Sequence, residues 1–241
     1  MSKPPGSEVV IVGGGVIGLA IARELALRGV RPITVVERGA LGAEASWAAG
    51  GMLAPQAEAD AVDDFFRLAV ASRSLYPDLA ASLREQTGID IGLERSGTIY
   101  LGFSEQEHAE LESRLRWQSD AGLRVERLAW SELREIEPQV SLRVRAALRF
   151  PDDVQVENRL LVQALIRANE LAGVRLLTNS EVLSLDCIGS RVTGVTTATG
   201  KVCADSVIIA GGAWSSSIPF CAGTENSNAI EPVRGQMLCF E

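Results

Sequence analysis

Two apolar runs frame the first forty residues. Glu8-Val9-Val10-Ile11-Val12 is rich in β-branched residues and ends abruptly in glycine, the pattern of a strand covered on both faces. From Gly15 to Arg28 the apolar positions Ile17, Ala20, Ile21, Leu25 and Ala26 recur at helical spacing, and Gly29 supplies a stop. Ile33-Thr34-Val35-Val36 repeats the strand pattern and closes at Glu37. Strand, helix and strand within about 30 residues predict a right-handed crossover unit with parallel strands.

Residues 39–54 are rich in glycine and alanine, and residues 60–87 predict one long helix or two meeting near Pro77. Gly97 to Leu101 has a strand pattern, residues 105–121 an amphipathic helix, and Ser131 to Glu137 a short helix stopped by Pro138. A helix returns from Glu157 to Leu171. Short strands follow at Arg175–Leu177, Val182–Leu185 and Arg191–Val195, and an apolar one at Ser206–Ala210 runs into Gly211-Gly212. The chain thus leaves an α/β layer near residue 87 and regains it near residue 150, so two domains are expected to interleave. Pro232 to Glu241 has a strand pattern without cap or tail, and the chain reads as cut at its C-terminus.

Composition narrows the function classes. A chain of 241 residues, 46% apolar and 22% charged, has ample material for a core. Its net charge of −8 argues against nucleic acid or an anionic membrane as partner. No apolar run is long enough for a membrane span. The polar residues 1–7 lack the features of a secretory leader, so the cytoplasm is the default location. Cys187, Cys203, Cys221 and Cys239 form no Cys-x-x-Cys pair and have no histidine nearby; small buried hydrophobes are expected, with no metal site. The single histidine, His108, lies in a charge-rich helical stretch after Ser104, which predicts a solvated face and argues against a Ser-His-Asp mechanism.

Gly13-Gly14-Gly15-Val16-Ile17-Gly18 satisfies G-x-G-x-x-G, a weak signal alone. Here it follows a strand, opens a helix and is followed by an acid at the end of the next strand, as a dinucleotide site requires. Gly13 allows the tight turn, Gly15 a close approach of backbone to diphosphate, and Gly18 tight helix-on-strand packing. Glu37 can accept both hydroxyl protons of an unphosphorylated ribose. The βαβ unit does not decide between NAD and FAD. The following Ala45-Ser46-Trp47-Ala48-Ala49-Gly50-Gly51-Met52-Leu53-Ala54-Pro55 does: its small residues let backbone approach a flat ring system, and its apolar ones do not suit a surface loop. The dinucleotide is expected to be FAD.

Five motifs occur in order: the glycine turn, Ser46 to Leu53, Asp152-Asp153-Val154-Gln155-Val156-Glu157, Ala210-Gly211-Gly212-Ala213-Trp214-Ser215, and Pro232-Val233-Arg234-Gly235-Gln236. In this order they resemble the D-amino acid oxidase family of FAD-dependent oxidoreductases. The Ala49-Gly50-Gly51-Met52-Leu53 segment is nearest to the members that oxidise glycine in thiamin biosynthesis. The resemblance implies a Rossmann-like α/β FAD-binding domain (1–86 and 149–219). Interleaved with it is an α+β substrate domain with a mixed or antiparallel sheet (87–148 and 220–241), truncated at the C-terminus. By position, it implies Val16 and Ile17 beside the diphosphate, Glu37 and Arg38 at the adenosine ribose, and Ala45 and Ser46 also on the diphosphate. Gly50, Gly51 and Met52 would lie along the isoalloxazine, and Val182 at the adenine through its backbone. Asn158 stands where the family often has proline and is expected to affect only the start of its helix.

The implied activity is oxidative deamination of glycine or a related small amine by hydride transfer to the flavin, giving an oxo acid, ammonia and hydrogen peroxide. The partners are that substrate and oxygen, with homo-oligomerisation left open. The family holds the substrate carboxylate with an arginine and a tyrosine from a C-terminal part beyond residue 241, so no catalytic residue is assigned; Arg234 is read as structural. This chain by itself is expected to be poorly stable and inactive. The alternatives are a sibling acting on sarcosine or D-amino acids as oxidase or dehydrogenase, or a non-catalytic FAD-binding fragment needing its missing part. An NAD-dependent dehydrogenase is disfavoured by the segment after Glu37.

Overall fold

The computed structural model describes residues 7–219 and 230–236. The chain forms two interleaved compact units: Met1–Gly50 with Leu83–Ile91 and Asn158–Glu241, and Gly51–Ser82 with Gly92–Glu157.

The first unit opens with β1 (Ser7–Val12), α1 (Val16–Leu27) and β2 (Ile33–Val36), then the four-residue helix α2 (Ala45–Ala48). Val10, Ile11 and Val35 are wholly shielded, as unbroken apolar runs require of strands covered on both faces. The second unit starts with β3 (Met52–Leu53), α3 (Pro55–Glu58) and α4 (Asp64–Ser74), whose N-cap Asp63 accepts the amide of Phe66. After Leu75 comes α5 (Tyr76–Thr87), which returns the chain to the first unit. Of the expected helical stretch 60–87, residues 64–87 form two helices, residues 60–63 precede them without helical structure, and the break precedes Pro77. Proline lacks an amide that the first helical turn does not use, so Pro77 is the second residue of α5.

β4 (Thr98–Gly102), α6 (Glu105–Asp120), β5 (Glu126–Arg127), α7 (Trp130–Ile136), β6 (Ala146–Phe150) and β7 (Val154–Gln155) complete the second unit. Its antiparallel sheet has the order β4-β6-β5, and β3 pairs with β7. Ala54, Ala57, Leu111, Leu148 and Phe150 form its core.

The first unit resumes with α8 (Asn158–Leu171), β8 (Arg175–Leu177), β9 (Val182–Ile188), β10 (Arg191–Thr197), β11 (Gly200–Ile209) and a 3₁₀ turn at Gly212–Ser217. Its sheet runs β8-β2-β1-β11-β10-β9. The first four strands are parallel, and β9 and β10 form an antiparallel meander against β11. Val9, Ile11, Ala22, Ala26, Ile33, Val35 and Val174 make one core cluster; Val10, Val12, Val36, Val195, Ala204 and Ile218 make another.

Three expectations are corrected. The strand expected at Ser206–Ala210 begins at Gly200, because Gly200 and Lys201, directly after the turn at Ala198 and Thr199, pair across the hairpin with Thr197 and Thr196. The strand pattern from Pro232 is not realised in residues 232–236, which are exposed and without regular structure; residues 237–241 lie outside the described residues. Cys187 is disulfide-bonded and half-buried, and Cys203 is an exposed free thiol, so neither is a buried hydrophobe. Cys221 and Cys239 lie outside the described residues.

Candidate cofactor site

The glycine turn sits where β1 ends. Gly13 has φ +109°, and a Cβ on it would stand 2.2 Å from the carbonyl oxygen of Ala210 at the end of β11. A Cβ on Gly18 would stand 2.0 Å from the carbonyl oxygen of Gly13, so helix and turn touch through bare backbone. Gly15 caps α1 with extended backbone, and a Cβ there would meet Ser46 Oγ at 3.1 Å. The amide of Val16 donates to Ser46 Oγ at 3.0 Å. No acid lies in the first turn of α1 itself. Ile17, also expected here, points outward and is exposed.

Glu37 terminates β2 and is nearly buried, at 8% exposure. Its Oε2 accepts the amide of Gly14 at 2.8 Å and its Oε1 the amide of Gly39 at 2.9 Å. Each carboxylate oxygen retains a second acceptor position for a sugar hydroxyl. Arg38 pairs with Glu44 at 2.7 Å, and its guanidinium lies 3.7 Å from the centre of the Trp214 ring. That contact brings the Ala213-Trp214-Ser215 motif beside Arg38 at the end of β2.

Ala45 and Ser46 lie in α2, beside the start of α1. Asn158 does more than begin α8: its Nδ2 donates to the carbonyl oxygens of Ser46 at 2.8 Å and Trp47 at 2.9 Å. The expectation that it acts only on its own helix is corrected, because an amide NH₂ is a donor and a helix N-terminus has no use for one. Gly50 is the last residue of its segment of the first unit. Val182 packs against the cluster containing Val12 and Val36, at the ends of β1 and β2.

In the second unit Gly51 has φ +73°, its carbonyl accepts the amide of Val156 at 2.9 Å, and Met52 stays 54% exposed despite being apolar. Behind this strand lies Asp153, with no exposed surface. It accepts the amides of Gln56 and Ala57, both at 3.3 Å, and pairs with Arg73 at 2.8 Å. Burial pushes its carboxyl above the usual range, against the opposing pull of these amides and the guanidinium. Gln56 and Gln118 complete the buried network through Nε2–Oε1 contact at 3.0 Å. Sequence reasoning missed Arg73, Gln56, Gln118 and Trp214; only Asp153 and Trp214 lay in motifs already singled out.

Four adjacent parallel strands, a glycine turn over a helix N-terminus and an acid at the next strand end define a dinucleotide-binding α/β protein. The side-chain-free face of Gly15 at the α1 N-terminus, with the Ser46 hydroxyl beside it, fits the diphosphate of FAD. The family model for FAD dependent oxidoreductases (DAO) matches residues 8–241, and the chain belongs to that family, whose cofactor is FAD. It is 39% identical over 230 residues to a glycine oxidase of Geobacillus kaustophilus (strain HTA426), covering 95% of this chain and 60% of the relative. It is 35% identical over 234 residues to a bifunctional protein ThiO/ThiG of Synechocystis sp., covering 96% of this chain and 33% of that protein. The crystal structure of glycine oxidase from Geobacillus kaustophilus superposes with TM-score 0.83 at 40% identity, covering 87% of this chain and 56% of that one. The chain thus spans about 60% of the length of the glycine oxidases it matches. Among the described residues no helix is long and apolar enough to cross a membrane.

Proposed function

We propose that the protein oxidises glycine or a related small amino acid or amine to the oxo acid, ammonia and hydrogen peroxide. The carrying observation is the 39% identity with a glycine oxidase, sustained through 95% of this chain. Bound FAD would supply the two-electron acceptor for a hydride from the substrate α-carbon, with oxygen as the final acceptor. The protein's part is to hold and orient it. Gly13, Gly15, Val16, Ile17 and Gly18 form the diphosphate turn, with Ala45 and Ser46 beside it. Glu37 and Arg38 hold the adenosine ribose, and Val182 the adenine. Gly50, Gly51 and Met52 lie along the isoalloxazine, for which an exposed apolar Met52 is a suitable neighbour. The second unit belongs to the substrate domain, whose carboxylate-binding groups come from further along the protein.

The test is to purify the protein, record its absorbance between about 300 and 550 nm, and release any chromophore with acid. Peroxide is then followed with glycine, sarcosine and D-alanine. Released FAD and glycine-dependent peroxide are expected. FAD with turnover of sarcosine or D-alanine alone would overturn the substrate, and a bound nicotinamide the cofactor.

A further inference from the structure

The four-residue helix α2 is too short to hold itself together, and no side chain caps its N-terminus. Its place is set by what grips it. Asn158, first residue of α8, spends its Nδ2 on two successive carbonyls of this helix, those of Ser46 and Trp47. Arg159 holds the same helix from the side, its guanidinium 5.3 Å from the centre of the Trp47 ring. The helix so held presents Ser46 Oγ to the Val16 amide at 3.0 Å, directly over the Cβ-free face of Gly15. A hydroxyl that accepts one hydrogen bond still has its own proton to give. Among the described residues no protein group takes that proton.

We propose that Asn158 is a positioning residue for the diphosphate site: it fixes α2 so that Ser46 Oγ stands at the α1 N-terminus with its proton directed to an anionic phosphate oxygen. The relay runs from Asn158 Nδ2 to the Ser46 carbonyl, from the Val16 amide to the Ser46 hydroxyl oxygen, and from the hydroxyl proton to the ligand. It rests on the FAD reading above and is independent of which amine is oxidised. The donor half of the side chain is what matters, so aspartate, equal in shape but presenting oxygen to two carbonyls, is worse than alanine.

The experiment is calorimetric titration of the flavin-free protein with ADP, which carries both phosphates, and with riboflavin, which carries none. Asn158→Ala raises the ADP Kd roughly tenfold, and Asn158→Asp raises it further, while the riboflavin response is unchanged. In a Ser46→Ala background, Asn158→Ala adds little more, because the group it positions is gone. Amide exchange at Val16 speeds up in Asn158→Ala while the thermal midpoint holds. ADP binding by Asn158→Ala within about twofold of the unaltered protein would overturn the inference, as would additive losses with Ser46→Ala. If the unaltered protein bound neither ADP nor FAD, the dinucleotide reading itself would fall, an outcome distinct from either.

Discussion

The amide of Gly14 donates to Oε2 of Glu37 at 2.8 Å, fastening the acid at the end of β2 to the turn it serves. With Gly39 on Oε1, the carboxylate is oriented before any ligand arrives. Glutamine would turn an NH₂ toward one of these two N–H donors. Glu37→Gln should lower unfolding free energy by about 1–3 kcal/mol and weaken FAD or ADP binding by at least roughly tenfold. Urea unfolding and calorimetry read the two effects separately; unchanged binding would remove Glu37 from the site.

Gly13 and Gly29 both have positive φ, +109° and +82°. Only Gly13 is hemmed in: a Cβ there would stand 2.2 Å from the Ala210 carbonyl oxygen, whereas one on Gly29 would face open space. Gly29→Ala should cost about 1–2 kcal/mol from backbone strain alone. Gly13→Ala adds a collision with backbone that cannot swing aside and should cost more than about 3 kcal/mol, with FAD binding lost. Equal costs from denaturant titration would show that the turn yields where the structure has it rigid.

Asp153 gives a pH signature. Burial raises its folded pKa, so the folded state holds the proton more tightly than the unfolded chain. Stability from this group is complete below the unfolded value of about 3.9 and declines as pH rises through the raised folded value. Asp153→Asn should flatten that decline while leaving Arg73 without its anion; Asp153→Ala should be worse, because the amides of Gln56 and Ala57 also lose their acceptor. Parallel urea titrations from pH 4 upward check both statements, and an unchanged slope in Asp153→Asn would contradict them.

Glu107 acts with the opposite sign. The amide of Phe103, the hydroxyl of Ser104 and the amide of Ser104 hold its carboxyl below the usual range at the start of α6. Stability from this group is present above the ordinary glutamate value and lost as pH falls through the lowered folded value. Ser104→Ala should cost about 1 kcal/mol at neutral pH through the lost cap, and should reduce the acid-side loss. Thermal melts at neutral and acid pH test it; the same acid-side loss in Ser104→Ala and the parent would refute the coupling.

The βαβ unit was legible because its signals agree: Val9 to Val12, the three fingerprint glycines and Glu37 each require the same local shape. β3 and β7 were not, since two residues carry no periodicity, and β6 reads Ala-Ala-Leu-Arg-Phe, which does not alternate. Pairings distant in sequence left no local trace. Nothing around Arg38 announces Trp214, and Asn158 looked like a helix start because the two carbonyls it serves are supplied by another element. Cys187 and Cys203 have apolar neighbours in sequence, but both lie on strands of the meander side of the sheet, where burial is incomplete.

The register of the central sheet also sets an order of events in synthesis. β1 pairs Val12 with Val36 on one side and with Ile209 on the other. The first partner follows within a few dozen residues; the second is made only after the whole second unit has left the ribosome. At synthesis rates of about 5–20 residues per second, β1 spends on the order of ten seconds or more with one edge unsatisfied. A strand whose Val10 and Ile11 end wholly shielded thus waits long for its second neighbour, and that interval is when a nascent chain has most to gain from a chaperone.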